Sequence, residues 1–488
     1  MDSSEITCNE PVTPAGRLFL RPEMDIIIYC AIGVKNRIEL DSIKSFVKNS
    51  LMLKHPRFCS LLVRDKNGVE QWKRTEIDID RHIIVVEPTT KDIADDDGSY
   101  HLDVLENNDD AERIVNDYLA DLSVSTPLSE DKPLWELHLL LEQNCIILRI
   151  HHALGDGISL MSLFLAACGK AEDPTAAPTV VRVGRRGLGL RWSGYGWIRA
   201  LLGFLKMVLF SFVFCMEFVT RGFWHRDRKT VISGGSGVEL WPRKMATAKL
   251  LIKDMKVVKD ALVNATINDV LFGVISSGLS KYLDHRSPNE LSDGLRLTGL
   301  AMVNLRDQPG LQDMSELMTK DSRSRWGNRF GMLLLPVYYQ KGGVDPLEYV
   351  KRAKKVIDRK KRSLEAHFSY YIGYLIMSWL GSKATCILNY RVICNTSFTI
   401  SNVVGPKEEI IIGDNPVTSL RVNVSSTPHA LIMHMVSYAG RADLQISVAK
   451  DIIPDPEFLA KCFEGALLEM KEAAIRSALS NSVIQFAD

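Results

Sequence analysis

The chain has 488 residues, and its 60 Lys plus Arg against 59 Asp plus Glu leave a formal charge of +1. That length is more than one hydrophobic core usually serves, so two domains are expected, while the balanced charge excludes a general polyanion binder such as a nucleic-acid protein. The nine cysteines are scattered without a Cys-x-x-Cys pair, which excludes a disulfide framework or a zinc site as the organising feature.

In chain order, the polar, acidic start Met1-Asp2-Ser3-Ser4-Glu5 lacks the basic and apolar regions of a secretory signal, so the catalytic part is expected on the cytosolic side. Asp25 to Val34 is apolar and β-branched, Glu39 to Leu51 has helical spacing, and Ser60 to Arg64 and Ile83 to Glu87 read as short strands. The acidic run Lys91 to Asp121 reads as a solvated face with a helix over Ala111 to Leu122. Leu134 to Leu141 and Cys145 to Ile150, parted by Glu142-Gln143-Asn144, form an antiparallel pair that leads into His151-His152-Ala153-Leu154-Gly155-Asp156-Gly157 and a helix over Ile158 to Cys168. Pro174 to Gly189 is the linker candidate. Ala200 to Thr220 carries only Lys206 and Glu217 as charges and approaches the roughly 20 apolar residues that span a bilayer. Beyond Met245 a second α/β unit is expected. Its strands lie at Ala248 to Ile252, Leu297 to Asn304, Met332 to Tyr339, Thr396 to Ser401, Ser419 to Val424 and Leu444 to Ala449, and its helices at Ile267 to Leu283, Pro346 to Ala366 and Pro456 to Ser477. The domains are thus expected at 1–173 and 245–488, with 174–244 as a linker holding the apolar segment.

Joining a thioester to an alcohol needs a base within reach of a hydroxyl whose own pKa lies far above cellular pH. Histidine, near 6.5 when unperturbed, is mostly neutral there and can return the proton to the departing thiolate. His152, at a strand end before a turn into a helix, is the candidate base. Adjacent side chains on a strand face opposite ways, so His151 is expected to be secondary. Gly155 and Gly157 are expected to permit the tight turn. Asp156 reads as an anchor of the turn, either pairing with an arginine across the site or capping the helix that follows.

These residues, together with Pro11-Val12-Thr13-Pro14, Pro133-Leu134-Trp135-Glu136, Asn268-Asp269, Val303-Asn304-Leu305-Arg306 and Ser401-Asn402-Val403-Val404-Gly405-Pro406, resemble the plant branch of the bifunctional wax ester synthase/diacylglycerol acyltransferase family. That family belongs to the superfamily of chloramphenicol acetyltransferase and the peptide-synthetase condensation domains. Thr13 stands where serine is commoner. The resemblance covers nearly the whole chain and implies an α/β, two-domain chloramphenicol-acetyltransferase-like fold with an inserted membrane-associating segment. It also implies a channel between the domains, entered by acyl-CoA from one side and by a fatty alcohol or diacylglycerol from the other. Acyl-CoA would be a substrate, with no cofactor or metal. Arg306 is then the expected partner of Asp156. Asn268, beside Asp269, would either cap its helix or support the channel, and Ser401 and Asn402 are candidate donors to the oxyanion. A soluble alcohol or amine acyltransferase, whose plant members carry Asp-Phe-Gly-Trp-Gly, and a non-catalytic lipid-binding protein are the alternatives; that sequence does not occur here.

Arginines and lysines flank the apolar segment on both sides (Arg182, Arg185, Arg186, Arg191 and Arg199 before; Arg221, Arg226, Arg228 and Lys229 after), which places both ends on the cytosolic face. An in-plane or re-entrant helix on the endoplasmic reticulum membrane is therefore expected, with the plasma membrane as the second candidate, since a complete crossing would separate the two domains. The basic run Lys351 to Arg362 reads as a solvated helix face.

Overall fold

A computed structural model describes residues 10–87, 108–125, 127–173, 178, 196–306, 326–342, 344–425 and 427–485. Most of the acidic run and the linker, including Arg182, Arg185, Arg186 and Arg191, lie outside the described residues.

The first unit contains β1 (Glu10–Pro11), α1 (Pro14–Phe19), β2 (Ile27–Val34), α2 (Leu40–Asn49), β3 (Ser60–Arg64), β4 (Glu70–Arg74) and β5 (Ile83–Val85). It continues with α3 (Asn108–Ser125), β6 (Trp135–Leu140), β7 (Cys145–His151), α4 (Gly157–Ala167) and β8 (Gly169–Lys170), after which α5 (Gly196–Phe223) leads to the second unit. There follow β9 (Arg243–Leu251), α6 (Ile252–Asp260), α7 (Ile267–Arg286), β10 (Arg296–Asn304), β11 (Phe330–Tyr338), α8 (Pro346–Lys361) and α9 (Glu365–Cys394). The chain closes with β12 (Phe398–Val404), β13 (Ile410–Ile412), β14 (Asn415–Val424), β15 (Leu431–Tyr438), β16 (Arg441–Ala449) and α10 (Pro456–Gln485).

Two large sheets result, ordered β5-β6-β7-β2-β14-β13-β8 and β11-β10-β12-β15-β16-β9, beside a small sheet β1-β4-β3. Every residue of β6 and all but one of β7 are buried, as suits strands covered on both faces. The β6–β7 hairpin turns through Asn144 at φ 46°, a conformation asparagine tolerates better than most residues. The second core joins one face of its sheet to α7 and α10 through Phe398, Ile400, Met433, Leu444, Ile446 and Phe463.

The division expected at 173 and 245 is crossed by the chain. β14 pairs with β2 along Val417–Val424 and β13 pairs with β8, so residues 410–424 belong to the first sheet. This crossover holds the units together. Arg421 on β14 reaches Asn116 on α3 and Thr247 on β9, and Gln445 Nε2 on β16 donates to Asn116 Oδ1 at 3.1 Å, giving a polar seam between the sheets.

Three further local differences have clear causes. The helix expected from Pro346 to Ala366 ends at Lys361, and a separate helix, α9, follows; at its Gly381 a φ of 79° breaks the helical conformation. Thr13 caps α1 by accepting from Gly16 N at 3.2 Å, so its hydroxyl does what serine would do. Neither Gly155 nor Gly157 takes a left-handed φ. A Cβ on Gly155 would lie 3.4 Å from Trp326 and one on Gly157 3.4 Å from Val403, ordinary contact distances, so neither position demands glycine for space.

Candidate active site

β7 delivers both histidines to the cleft between the sheets, and their partners differ. His151 Nδ1 accepts the Ala153 backbone N–H at 3.1 Å, so its proton sits on Nε2, which donates to Asp25 Oδ1 at 2.9 Å. Its ring is buried and fully occupied. His152 is held by one residue of the other unit: Asn328 Nδ2 donates to the His152 carbonyl at 2.8 Å, and its Oδ1 lies 2.9 Å from His152 Nδ1. The first bond fixes which way the carboxamide faces, so the second requires a proton on Nδ1. The lone pair is therefore on Nε2. Phe19 and Phe330 flank the ring at centroid distances of 4.3 Å and 5.9 Å. Burial pushes the His152 pKa down to about 4, with the nearby Asp156 charge pulling the other way.

Asp156 and Arg306 pair across the units. Arg306 donates to both carboxylate oxygens, at 2.7 and 3.1 Å, and also to Ser159 Oγ at 2.8 Å and the Gly327 carbonyl at 2.6 Å. Asp156 Oδ1 caps α4 through Ser159 N at 3.0 Å, and Oδ2 accepts from Arg329 N at 3.0 Å. The two expectations for Asp156 are therefore compatible, because its two oxygens serve both. Leaving either charge alone in this buried place would cost about 3–5 kcal/mol. The network also holds the loop 327–329 that presents Asn328.

Asn268 does not cap α7. Thr266 does, in a reciprocal capping box with Asp269. Asn268 instead accepts from Asn402 Nδ2 at 2.7 Å. Alternation along β12 puts Ser401 and Asn402 on opposite faces, so the two cannot act on one oxyanion from the same side. Ser401 is level with His434 on β15, and Val403, on the Ser401 face, meets the motif at Gly157. That face looks into the cleft. His434 is buried there with its Nδ1 unpartnered, and burial, then the proximity of His152, pushes its pKa down to about 4.

The sequence reading missed Asn328, Phe19, Phe330 and His434. An asparagine in a loop and a histidine in an apolar strand carry no periodic signal. Only the tight Trp326-Gly327-Asn328-Arg329 run just before β11 marks the loop as special.

Two α/β units meeting at a half-buried histidine with a free Nε2 define the two-domain acyltransferase architecture. Residues 115–271 match the wax ester synthase/diacylglycerol acyltransferase catalytic domain, and residues 326–471 match the WS/DGAT C-terminal domain. Wax ester synthase/diacylglycerol acyltransferase 11 of Arabidopsis thaliana is 36% identical over 96% of this chain and 96% of its own length. Number 5 of the same plant is 35% identical over 95% and 93%. Among solved structures, the wax ester synthase/diacylglycerol acyltransferase of Marinobacter aquaeolei superposes with a TM-score of 0.57 at 14% identity, covering 95% of this chain and 99% of that one. A starter condensation domain of rhizomide synthetase in complex with C8-CoA gives 0.53 at 13% identity, covering 97% of each. The chain belongs to the wax ester synthase/diacylglycerol acyltransferase family and is an O-acyltransferase of the plant type.

Proposed function

We propose that this enzyme transfers a long-chain acyl group from acyl-CoA to a lipid hydroxyl, that of a fatty alcohol or of diacylglycerol, with His152 as general base at the endoplasmic reticulum membrane. The observation that carries this reading is the Asn328 clamp on His152 Nδ1, which leaves Nε2 as the free base beside two aromatic rings. Nε2 takes the hydroxyl proton as the alcohol oxygen attacks the thioester carbonyl. The tetrahedral intermediate then expels the CoA sulfur, which receives that proton from Nε2. Ser401 is the proposed donor to the oxyanion, a role its position on the cleft face of β12 supports. Asp156 and Arg306 do no proton transfer; they hold the turn and the loop in register.

Membrane attachment through α5 is part of the reading. Ala200–Phe223 is long and apolar enough to cross a bilayer by length and composition. Its last turns, however, are claimed by protein. Arg221 is fully buried, 2.9 Å from Asp227 and donating to Thr298 at 2.8 Å, and Glu217 pairs with Arg296 and Lys360. Glu217 and Arg221 are thus used for docking on the second unit. What remains for lipid, from Ile198 to Met216, is roughly 19 residues, near the lower end of what spans a bilayer, and the buried last turns tie the helix to the second unit on one side of it.

The test is lipid analysis of a host that makes neither wax ester nor triacylglycerol, expressing wild type or His152→Ala and fed each acceptor. Wild type should make ester, and the variant should lose about 10² to 10⁴ in turnover. A variant retaining more than about a tenth of the activity would remove His152 from the role.

A further inference from the structure

We infer that the acyl acceptor reaches His152 directly from the bilayer, through an entrance built by α5 together with α9 and closed on the inside by Phe19 and Phe330. This rests on the reading of His152 as the base and adds where its lipid substrate comes from.

α9 is not a single rod. Its start lies against α5, with Leu364 N donating to Ser211 Oγ at 2.9 Å, and its end returns there, with Asn395 Nδ2 donating to the Arg221 carbonyl at 2.6 Å. Between them the chain runs out to the kink at Gly381 and comes back. The outer residues are apolar and exposed: Trp379 is 82% and Leu380 68% accessible, next to Tyr371, Tyr374 and Leu375. The first half of α5, which contacts α9 through its later turns, exposes a second apolar surface at Leu201, Phe204, Leu205, Leu209 and Phe212. Exposed apolar residues in such number on two helices that pack together mark an interaction site.

Chemistry on its border selects the partner. Trp224 is exposed at the end of α5, and Trp and Tyr with one apolar and one polar side favour the level of lipid headgroups. The exposed cations Arg226, Arg228 and Lys229 follow α5, and Arg359, Lys361 and Arg362 stand at the end of α8, immediately before Leu364. An anionic membrane surface offers the matching charge. A protein partner would not need cations on both sides of an aromatic-tipped apolar projection.

The inner side of the same helices supplies the path. Phe218 of α5 and Cys386, Val392 and Ile393 of α9 share one apolar cluster with Phe19 and Met24, and Phe330 and Phe368 pack against it. Phe19 and Phe330 lie 6.2 Å apart, and both touch the His152 ring. The apolar layer beneath the lipid-facing helices therefore ends at the base. A lipid hydroxyl entering this way keeps its chains in apolar surroundings throughout, so little of the hydrophobic cost of leaving the bilayer is incurred.

The experiment uses the full-length enzyme with Leu375→Asp and Trp379→Asp together, two exposed positions away from the chemistry. Flotation with vesicles of phosphatidylcholine and phosphatidylserine should fall at least about ten-fold, as two large apolar side chains leave the contact. Transfer to a long-chain alcohol presented in the vesicles should fall by a similar factor, while transfer to a short, water-soluble alcohol stays within about two-fold. Tyr371→Ser with Tyr374→Ser, a milder pair, should give the same pattern in smaller measure. Retained vesicle binding and long-chain transfer, or equal loss on both acceptors with an unchanged melting transition, would overturn the entrance. Failure of the wild type on every hydroxyl would instead refute the underlying acyl-transfer reading, so the two failures are separable.

Discussion

Asn328 is the most discriminating position in the site, because its two bonds set both the place and the protonation of the base. Removing the carboxamide in Asn328→Ala leaves His152 free to move its proton to Nε2, the form that cannot accept from the alcohol. The lost Nδ1–H bond to Oδ1 has a net value of about 1–1.5 kcal/mol, equivalent to about a ten-fold change in the tautomer ratio. Loss of the bond to the His152 carbonyl loosens the ring further, so kcat should fall about 10- to 100-fold, with the KM for acyl-CoA nearly unchanged. Asn328→Asp separates orientation from charge. A carboxylate there still accepts from Nδ1, but its negative charge stabilises the imidazolium and raises the His152 pKa from about 4 by about 1–3 units. The acidic limb of kcat/KM must then move to higher pH, while activity above pH 8 is largely kept. Ester formation from labelled acyl-CoA between pH 4.5 and 8.5, in detergent micelles holding a long-chain alcohol, reads both effects. An alanine variant within about three-fold of wild type, or an aspartate variant whose limb stays in place, refutes the clamp.

Other consequences follow from the same geometry. Asp156→Ala and Arg306→Ala should each lower stability by about 3–5 kcal/mol in urea, yet the double variant should lose little more than either, whereas strict additivity would reject the pair. His55, His429 and His434 are buried, and burial holds their pKa values at about 3, 4 and 4. Their unfolded forms titrate near 6.5, so between these values the unfolded chain binds more protons. Stability is full above pH 6.5 and falls on acidification by up to about 1.4 kcal/mol per pH unit per histidine. Equal urea midpoints at pH 7.5 and 5 would contradict this. His434→Phe removes a buried nitrogen that has no partner, so the melting temperature should stay constant or rise; a clear drop would contradict an unpartnered ring nitrogen.

The motif region was legible because each of its signals is local. An apolar strand, a polar turn and a second apolar strand ending in His-His fix β6, β7 and the place of His152, and the spacing to Asp156 fixes the cap of α4. What was hidden depends on distant pairing. β14 was recognised as a strand, but nothing in Asn415–Val424 says that its partner is β2, nearly 400 residues away. β15 escaped notice because Leu431–Tyr438 is buried almost throughout and so lacks the alternation of a half-buried strand. α9 was missed for a different reason. It is apolar and aromatic on nearly all sides, with Gly373 and Gly381 inside, so no amphipathic stripe appears. Asp156 and Arg306 could be matched through resemblance, whereas Asn328, whose whole contribution is the direction of one carboxamide, could not.

The low pKa of His152 belongs to the resting site, and its cause explains why it does not defeat the base. Burial is the main cause that disfavours the imidazolium, the neighbouring His151 adds a lesser one, and the Asp156 carboxylate already favours the charged form. In the transition state two changes occur together: the imidazole gains a proton, and the thioester oxygen gains negative charge. In the low-dielectric surroundings of a cleft closed around substrate these opposite charges attract more strongly than in water. The burial that makes His152 a weak base toward solvent therefore makes it a selective one. On the proposed mechanism it remains neutral across the cellular pH range and becomes an effective proton acceptor only when a tetrahedral oxyanion forms beside it. Weakening the burial, for example by Phe19→Ser, should raise the resting pKa and lower kcat at the same time. If the site worked through the intrinsic basicity of the imidazole, the higher pKa would instead raise kcat. Measuring the acidic limb and the plateau rate of this variant in one pH series distinguishes the two.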